Sequence, residues 1–338
     1  MSLISFEGFD IHTDISLTDA SVTNPTGASF VAGRFGGKAI SIHMPTSQVC
    51  YVCYSLPYPL TSTTVLGVAV KWKALSTTPP TSFIHMLLGG FVSSFNQVGI
   101  GINALRNLEI FRGANFASKS GTTLGTGTAV IELDTFYYIE IKLYVHATAG
   151  TVKVYVDGVL DFTFTGKTNG QTGTTIQYVG IVGGDNNTVL FDDLYMDTVD
   201  VLGPQRVTSV YPVNDTAQKD FTPSSGTSNF ALLGTRDDAE YVSTSTSNHE
   251  DLYTCGNVTV TFDTIKAVSL IAVAKKVETT SKTLTLELKQ DIVYPADSDI
   301  TLSDSYRPYQ KIFLTNPETS AAWTSEAIND LQIGMKGA

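Results

Sequence analysis

Charge is scarce in this chain. Of its 338 residues only 16% are Asp, Glu, Lys or Arg, and the balance is acidic, with a formal net charge of -11. Neither end carries a Lys/Arg block that could follow a phosphate backbone, so nucleic acid is excluded as an expected partner. Long apolar runs are missing too: no segment approaches the ~18 consecutive apolar residues that a membrane-crossing helix requires. The opening MSLISFEGFD lacks the basic and apolar regions of a secretory leader. The expectation is a protein made in a cytoplasm, without a membrane anchor. Cysteine is limited to three residues, of which Cys50 and Cys53 form one C-x-x-C and Cys255 lies far away. A structural zinc site needs a second ligand pair at matching spacing, and none follows. In the strand-like VCYVCY, residues three apart also point to opposite faces, so reduced structural cysteines are expected, with no metal.

Helical periodicity is equally scarce, and period-two alternation takes its place. In FYYIEIKLYVH one face carries Tyr137, Ile139, Ile141, Leu143 and Val145, while Tyr138, Glu140, Lys142, Tyr144 and His146 occupy the other. TVKVYV follows with Val152, Val154 and Val156 alternating against Thr151, Lys153 and Tyr155. Asp157-Gly158 is a favoured type I′ turn pair, which reverses the chain into Leu160, Phe162 and Phe164. TVLGVAVKWKAL, FIHMLLGGF, TIQYVGIVGG and NTVLFDDLYMDT read as further strands, and VGIGINALRNLEIFRG as a hairpin turning near Arg106-Asn107. So many strands with short turns predict a two-sheet jelly-roll sandwich.

A composition break at Val201-Leu202-Gly203-Pro204 divides the chain into expected domains 1–201 and 202–338. The second is also β-rich, through NVTVTFDTIKAVSLIAVAKKVE and SKTLTLELKQ. WTSEAINDL predicts a short helix capped by Thr324 or Ser325, and QIGMKGA a closing edge strand. The fold class is therefore all-β, with at most one short helix.

Several phrases resemble a known family. ISFEGFD, GRFGGKAI at 33 to 40, VGIGINALRNLEIFRG, YYIEIKLYVHATAGTVKVYVDGV and FDDLYMDT resemble the concanavalin A-like, laminin-G-like sandwiches of tailed-bacteriophage virion proteins. GTSNFALLGTRDDAEYVSTSTSNHEDLY and NPETSAAWTSEAINDLQIGMK resemble the module that follows them. The resemblance implies a non-enzymatic structural component of a phage virion, with tail, baseplate or fibre apparatus favoured. Its implied partners are other virion proteins and further copies of itself on the particle, with a weak contact to a host surface glycan as an addition. Two alternatives stand beside it: a capsid decoration protein, and a carbohydrate-binding lectin that recognises a receptor.

No residue is nominated as catalytic, cofactor-binding or metal-binding. Alternation places Asp192 with Leu194 and Met196 on one face, and Asp193 with Phe191, Tyr195 and Asp197 on the other. A two-carboxylate glycosidase needs its pair facing one sugar at ~5 to 9.5 Å, which diverging neighbours do not supply. Calcium could draw on Asp185, Asn186 and Asn187, but hard cations need several converging oxygens, so a backbone-bonding role for one Asp is the expectation. Tyr54, Tyr58, Trp72, Phe95 and Tyr178 would stack on sugars only if exposed, and core packing is the expectation for each. GRFGGKAI and LGTGTAV lack the phosphate-loop pattern and read as turns or strand corners. No G-x-S-x-G elbow occurs, and His43, His85 and His146 fall in or beside strands.

Overall fold

The structure, a computed structural model, describes residues 3–12, 20–23, 25–43, 50–61, 63–74, 85–89, 97–113, 121–170, 173–183, 187–234, 238–295 and 299–337. The chain forms two compact units, Met1–Thr208 and Ser209–Ala338. Both are built almost wholly of strands, and the first is a jelly-roll β-sandwich.

One sheet of the sandwich has eight strands. They are β1 (Leu3–Glu7), β3 (Ala28–Ala32), β4 (Lys38–His43), β6 (Thr64–Ala74), β11 (Phe136–Tyr144), β12 (Gly150–Val156), β13 (Val159–Gly166) and β15 (Asn187–Asp197). Their order is β13-β12-β11-β6-β15-β4-β3, with β1 pairing β15. The facing sheet runs β10-β9-β8-β7-β14-β5-β2. Its strands are β2 (Ala20–Thr23), β5 (Tyr51–Leu60), β7 (His85–Gly89), β8 (Val98–Ile102), β9 (Asn107–Arg112), β10 (Thr122–Val130) and β14 (Ile176–Val182).

One core fills the space between the sheets. Leu66, Val68, Ile139, Ile141, Val152 and Phe191 enter from the eight-stranded side, and Val52, Ile100, Ile110, Val179 and Ile181 from the other. The inward set of β11 is the one its alternation predicts. At the β12–β13 turn both Asp157 (φ 50°) and Gly158 (φ 80°) have positive φ, as a type I′ pair requires. Tyr54 and Trp72 are core residues, so neither can meet a ligand, while Tyr178 is half-buried. Phe95 lies outside the described residues, as does the side chain of Tyr58. Cys50, Cys53 and Cys255 form no disulfide and are buried. Burial pushes the Cys50 thiol up to about 11 and that of Cys53 to about 12, which keeps both protonated and unreactive.

The second unit has a six-stranded sheet. It contains β16 (Pro212–Lys219), β19 (Glu250–Cys255), β21 (Thr283–Lys289), β22 (Val293–Pro295), β23 (Ile300–Thr301) and β25 (Gln332–Gly337). Two small ribbons accompany it: β17 (Thr222–Pro223) with β18 (Val242–Ser243), and β20 (Val268–Ala274) with β24 (Arg307–Phe313). The short helix α1 (Ser325–Asn329) is capped by Thr324, whose hydroxyl accepts from the Ala327 amide at 3.1 Å. It turns Ile328 and Leu331 into a core with Leu284, Leu286, Leu288 and Trp323. The last strand departs from expectation. β25 pairs with β19 on one side and β21 on the other, so it is central and not an edge. Ile333 and Met335 pack against the core from it, and a strand that contributes such a face gains most when paired on both sides.

Candidate functional site

The alternation expected of FDDLYMDT breaks inside β15. Val189 and Phe191 point into the core, and so do Leu194 and Met196. The extra residue is absorbed at Asp193, which has φ 50°, where the pairing steps from Asp192↔Ala69 to Tyr195↔Gly67. This is a β-bulge, a device that re-aims side chains. Asp192 and Asp193 therefore do not diverge to opposite faces; both serve the outer surface of the eight-stranded sheet.

There they hold chain segments in place. Asp192 Oδ2 accepts from the Arg34 amide at 2.7 Å, and Asp193 Oδ1 from the Val207 amide at 2.7 Å. The Arg34 guanidinium lies 3.6 Å from Asp193 Oδ2 and donates to the Gln205 carbonyl at 3.3 Å. One row along, Tyr195 lies across Gly67 and its hydroxyl donates to Glu140 Oε1. The Leu202 amide bonds to that hydroxyl at 2.8 Å, and the Gly203 amide to Glu140 Oε1 at 2.9 Å. Phe35, 48% exposed, carries the guanidinium groups of Arg34 and Arg206 at 4.7 and 4.4 Å from its ring centroid. Residues 199–207 thus form a strap across the outer sheet face, fixed by buried carboxylates. Residues 202–207, expected to open the second domain, are bonded into the first unit.

The same geometry places the phrases that carried the virion resemblance. Glu7 accepts from the Phe9 amide at 2.7 Å, and Asp10 from the Lys38 amide at 2.6 Å. Asp10 thus joins ISFEGFD to GRFGGKAI, and Asp192 joins GRFGGKAI to FDDLYMDT through the Arg34 amide.

Burial dominates the carboxyl groups here. It raises Asp192 to about 6, against the bonds from the Arg34 and Asp193 amides, and raises Asp193 to about 7, with the neighbouring Asp192 charge adding to the effect. A carboxyl raised in the fold stabilises it fully below its unfolded value near 3.8, and that contribution is lost as pH rises through the folded value. The melting temperature should therefore climb as pH is lowered from about 8 to about 5, by an amount worth on the order of 2–4 kcal/mol. Asp193→Asn should flatten most of that slope in melts followed across the same range. A wild-type curve that is flat over this interval would show that Asp193 is not held neutral.

Beyond the strap the sheet stays open. The outward residues of β11, β12 and β13 form rows, Tyr144–Thr151–Thr165 and Lys142–Lys153–Thr163, with Tyr155 beside Glu140 in the next. Tyr144, Lys153, Thr163 and Thr165 are exposed, and Tyr155, Thr151 and Lys142 partly so. Tyr144 and His146 stack at 5.9 Å. His146 Nδ1 accepts from the Ala149 amide at 2.9 Å, which leaves Nε2–H as the ring's donor. Asp200 bonds Lys142 at 2.9 Å where the strap begins, and Pro204 sits against the Gly158 turn. The result is a flat ledge of aromatic, hydroxyl and ammonium groups with the strap as its wall. The sequence showed these side chains sharing a face; which part of that face stays uncovered depends on the path of the strap.

Among the described residues no group of three or more His, Cys, Asp or Glu could hold a metal. Asp185 and Asn186 of the calcium expectation lie outside the described residues, as does the side chain of Asn187.

No protein-family model matches the chain, and no curated protein does. Solved structures with a related sandwich do match. An endo-beta-1,4-glucuronan lyase from the fungus Trichoderma reesei is 11% identical, covering 61% of this chain and 100% of its own, at a TM-score of 0.46. A marine alginate lyase from Aplysia kurodai is 11% identical over 59% of this chain and 100% of its own, at 0.44. A carbohydrate binding module from Bacillus subtilis is 11% identical over 54% and 96%, at 0.38. The expectation of a tailed-phage structural component is corrected on this finding: the three structures named here are two polysaccharide lyases and a carbohydrate binding module, and none of them is a virion protein. At this distance they mark a type of fold and no activity.

Proposed function

We propose that the protein binds carbohydrate without turning it over, through the ledge on β11, β12 and β13. The observation that carries this reading is the exposed Tyr144 and partly exposed Tyr155 on one face with Lys153, Thr151, Thr163 and Thr165 beside a fixed wall. Tyrosine rings offer apolar faces to the C–H faces of sugars, while hydroxyl and ammonium groups bond sugar oxygens, and a rigid sheet holds both at little entropic cost. Four residues of extended strand separate Tyr144 from the residue opposite Tyr155, ~13 Å at ~3.3 Å per residue. That span suits a short run of a polysaccharide chain. The non-catalytic part rests on the carboxylates: Asp193 and Glu140 are buried and engaged with strap amides and Asp192 is buried and engaged with the Arg34 amide, so none of the three pairs with another across the ledge.

Affinity electrophoresis through gels containing a panel of soluble polysaccharides tests the reading. Retardation in at least one gel is expected, with Tyr144→Ala or Tyr155→Ala weakening it by about tenfold, a change of ~1.4 kcal/mol. Migration unchanged in every gel would overturn the reading. Release of reducing ends or unsaturated sugars from a bound polymer would overturn its non-catalytic part.

A further inference from the structure

Resting on the ledge as the sugar-binding surface, we infer that its ligand is an anionic polysaccharide, one that presents carboxylate or sulfate groups along its length. The central observation is a cross-strand pair: Lys142 and Lys153 stand directly opposite each other on β11 and β12. Like charges in that position repel and destabilise a sheet, and directly opposed residues lie only ~4.5–5.5 Å apart at Cα. One counter-charge reaches the pair. Asp200, 63% exposed, bonds Lys142 at 2.9 Å, and that bond with the one from the Val201 amide holds its carboxyl below the usual range, the Lys142 and Lys153 charges adding to the effect. Among the described residues the bonded counter-ion is thus on Lys142, and no salt bridge joins Lys153 to Asp200.

The other acidic groups near the ledge are committed elsewhere. Glu140 is buried under the strap. Asp157 accepts from the Tyr138 amide at 2.8 Å, and Asp161 turns to the Thr128 and Ala129 amides of β10 at 2.7 and 2.8 Å. Thr151, Thr163, Thr165, Tyr144 and Tyr155 complete the surface without adding negative charge. Within the rows Tyr144–Thr151–Thr165 and Lys142–Lys153–Thr163 the charged side chains are therefore the two lysines, on a chain whose net charge is -11. An anionic group seated between Lys153 and Lys142 would relieve the repulsion that the sheet otherwise carries, while the tyrosines hold the sugar ring that bears it.

The full chain should be titrated against matched polymers: polygalacturonate and its fully methyl-esterified form, and dextran sulfate and dextran. Binding at least about tenfold tighter to a charged member than to its uncharged partner is expected, together with steady loss of affinity as salt is raised. Lys153→Ala should abolish that preference and Lys153→Arg should retain it, with a melting curve on each variant to confirm folding. Preference for polygalacturonate assigns a carboxylate ligand, and preference for dextran sulfate a sulfated one. Equal, salt-insensitive binding to charged and uncharged polymers would overturn this inference and leave the sugar-binding reading intact. No binding to any of the polymers, or to the wider panel, would remove both. Anionic preference undiminished in Lys153→Ala would also overturn it, by locating the charge recognition elsewhere.

Discussion

Gly67→Ala should destabilise the first unit by about 3–5 kcal/mol and release the strap from the sheet. A methyl group at this position would lie 2.1 Å from Cε1 of Tyr195, well inside contact distance, in the middle of a sheet where the backbone cannot yield. Tyr195 is held from two sides: its ring is stacked over the bare strand, and its hydroxyl is bonded to Glu140 and to the Leu202 amide. Moving the ring breaks those bonds, leaves the Leu202 amide only its longer bond to Glu140 Oε1 at 3.1 Å, and strips Glu140 of a donor in a buried place. The cost therefore combines steric strain with unmet buried polar groups. Denaturant unfolding followed by the fluorescence of Trp72, the tryptophan of this unit, reports the stability, best in a variant with Trp323 replaced by Phe. Limited proteolysis reports the strap, with new cleavage expected between residues 199 and 207. Tyr195→Phe separates the two contributions. It keeps the ring over Gly67 and removes only the hydroxyl, so a loss of about 1–2 kcal/mol is expected, with partial exposure of the strap. Unchanged stability and unchanged cleavage in Gly67→Ala would mean that Tyr195 has another place to go, and that the strap does not depend on it.

That clamp also marks where sequence reading reached its limit. The buried set Ile139, Ile141, Leu143 and Val145 was legible because a half-buried strand writes its own period, and nothing distant alters it. The Asp157-Gly158 turn and the Thr324 cap were legible for the same reason: each is settled by residues within a few positions. The bulge at Asp193 is different. Its adjacent carboxylates are satisfied by the Arg34 amide, 158 residues earlier for Asp192, and by the Val207 amide for Asp193. Strict alternation put these two carboxylates on opposite faces because it had no means of knowing that partners for both lay on one side. The central place of β25 was hidden similarly, since pairing on both sides depends on β19 and β21, far away in the chain. For the ledge, the co-facial sets Lys142–Tyr144–His146 and Thr151–Lys153–Tyr155 were visible. Their opposition as Lys142↔Lys153, and their exposure, follow from register and from the strap. The one signal in the sequence that bore on the strap was the Gly203-Pro204 break, and it read as the end of a domain because a loop and a strap share the same composition.

The second unit depends on a single buried carboxylate, and Asp251→Ala should cost it about 4 kcal/mol. Asp251 is 0% exposed. Oδ1 accepts from the amides of Asp220 and Phe221 at 2.6 and 2.7 Å, and Oδ2 from Asn229 Nδ2 at 2.6 Å and the Tyr253 hydroxyl at 2.5 Å. Four donors thus converge on one side chain, which ties the end of β16, the loop before the Phe230 turn and strand β19 together. Alanine would leave the Phe221 amide and the Tyr253 hydroxyl without their acceptor in a site closed to water, while the Asp220 amide keeps the Glu250 carbonyl at 3.2 Å and Asn229 Nδ2 the Phe221 carbonyl at 2.9 Å. Asp251→Asn is the sharper comparison, because it keeps the volume and one acceptor oxygen but turns an amide donor toward Asn229 or toward the backbone amides; a loss of about 2–3 kcal/mol is expected. Trp323 packs in the core of this unit, so its fluorescence in a Trp72→Phe background follows the second unit without the first. The two Asp251 variants should lower the Trp323 transition while leaving the Trp72 transition of the complementary background in place. Equal lowering of both transitions would show that the units unfold together, and an unmoved Trp323 transition would mean that the four donors find acceptors within the second unit without Asp251.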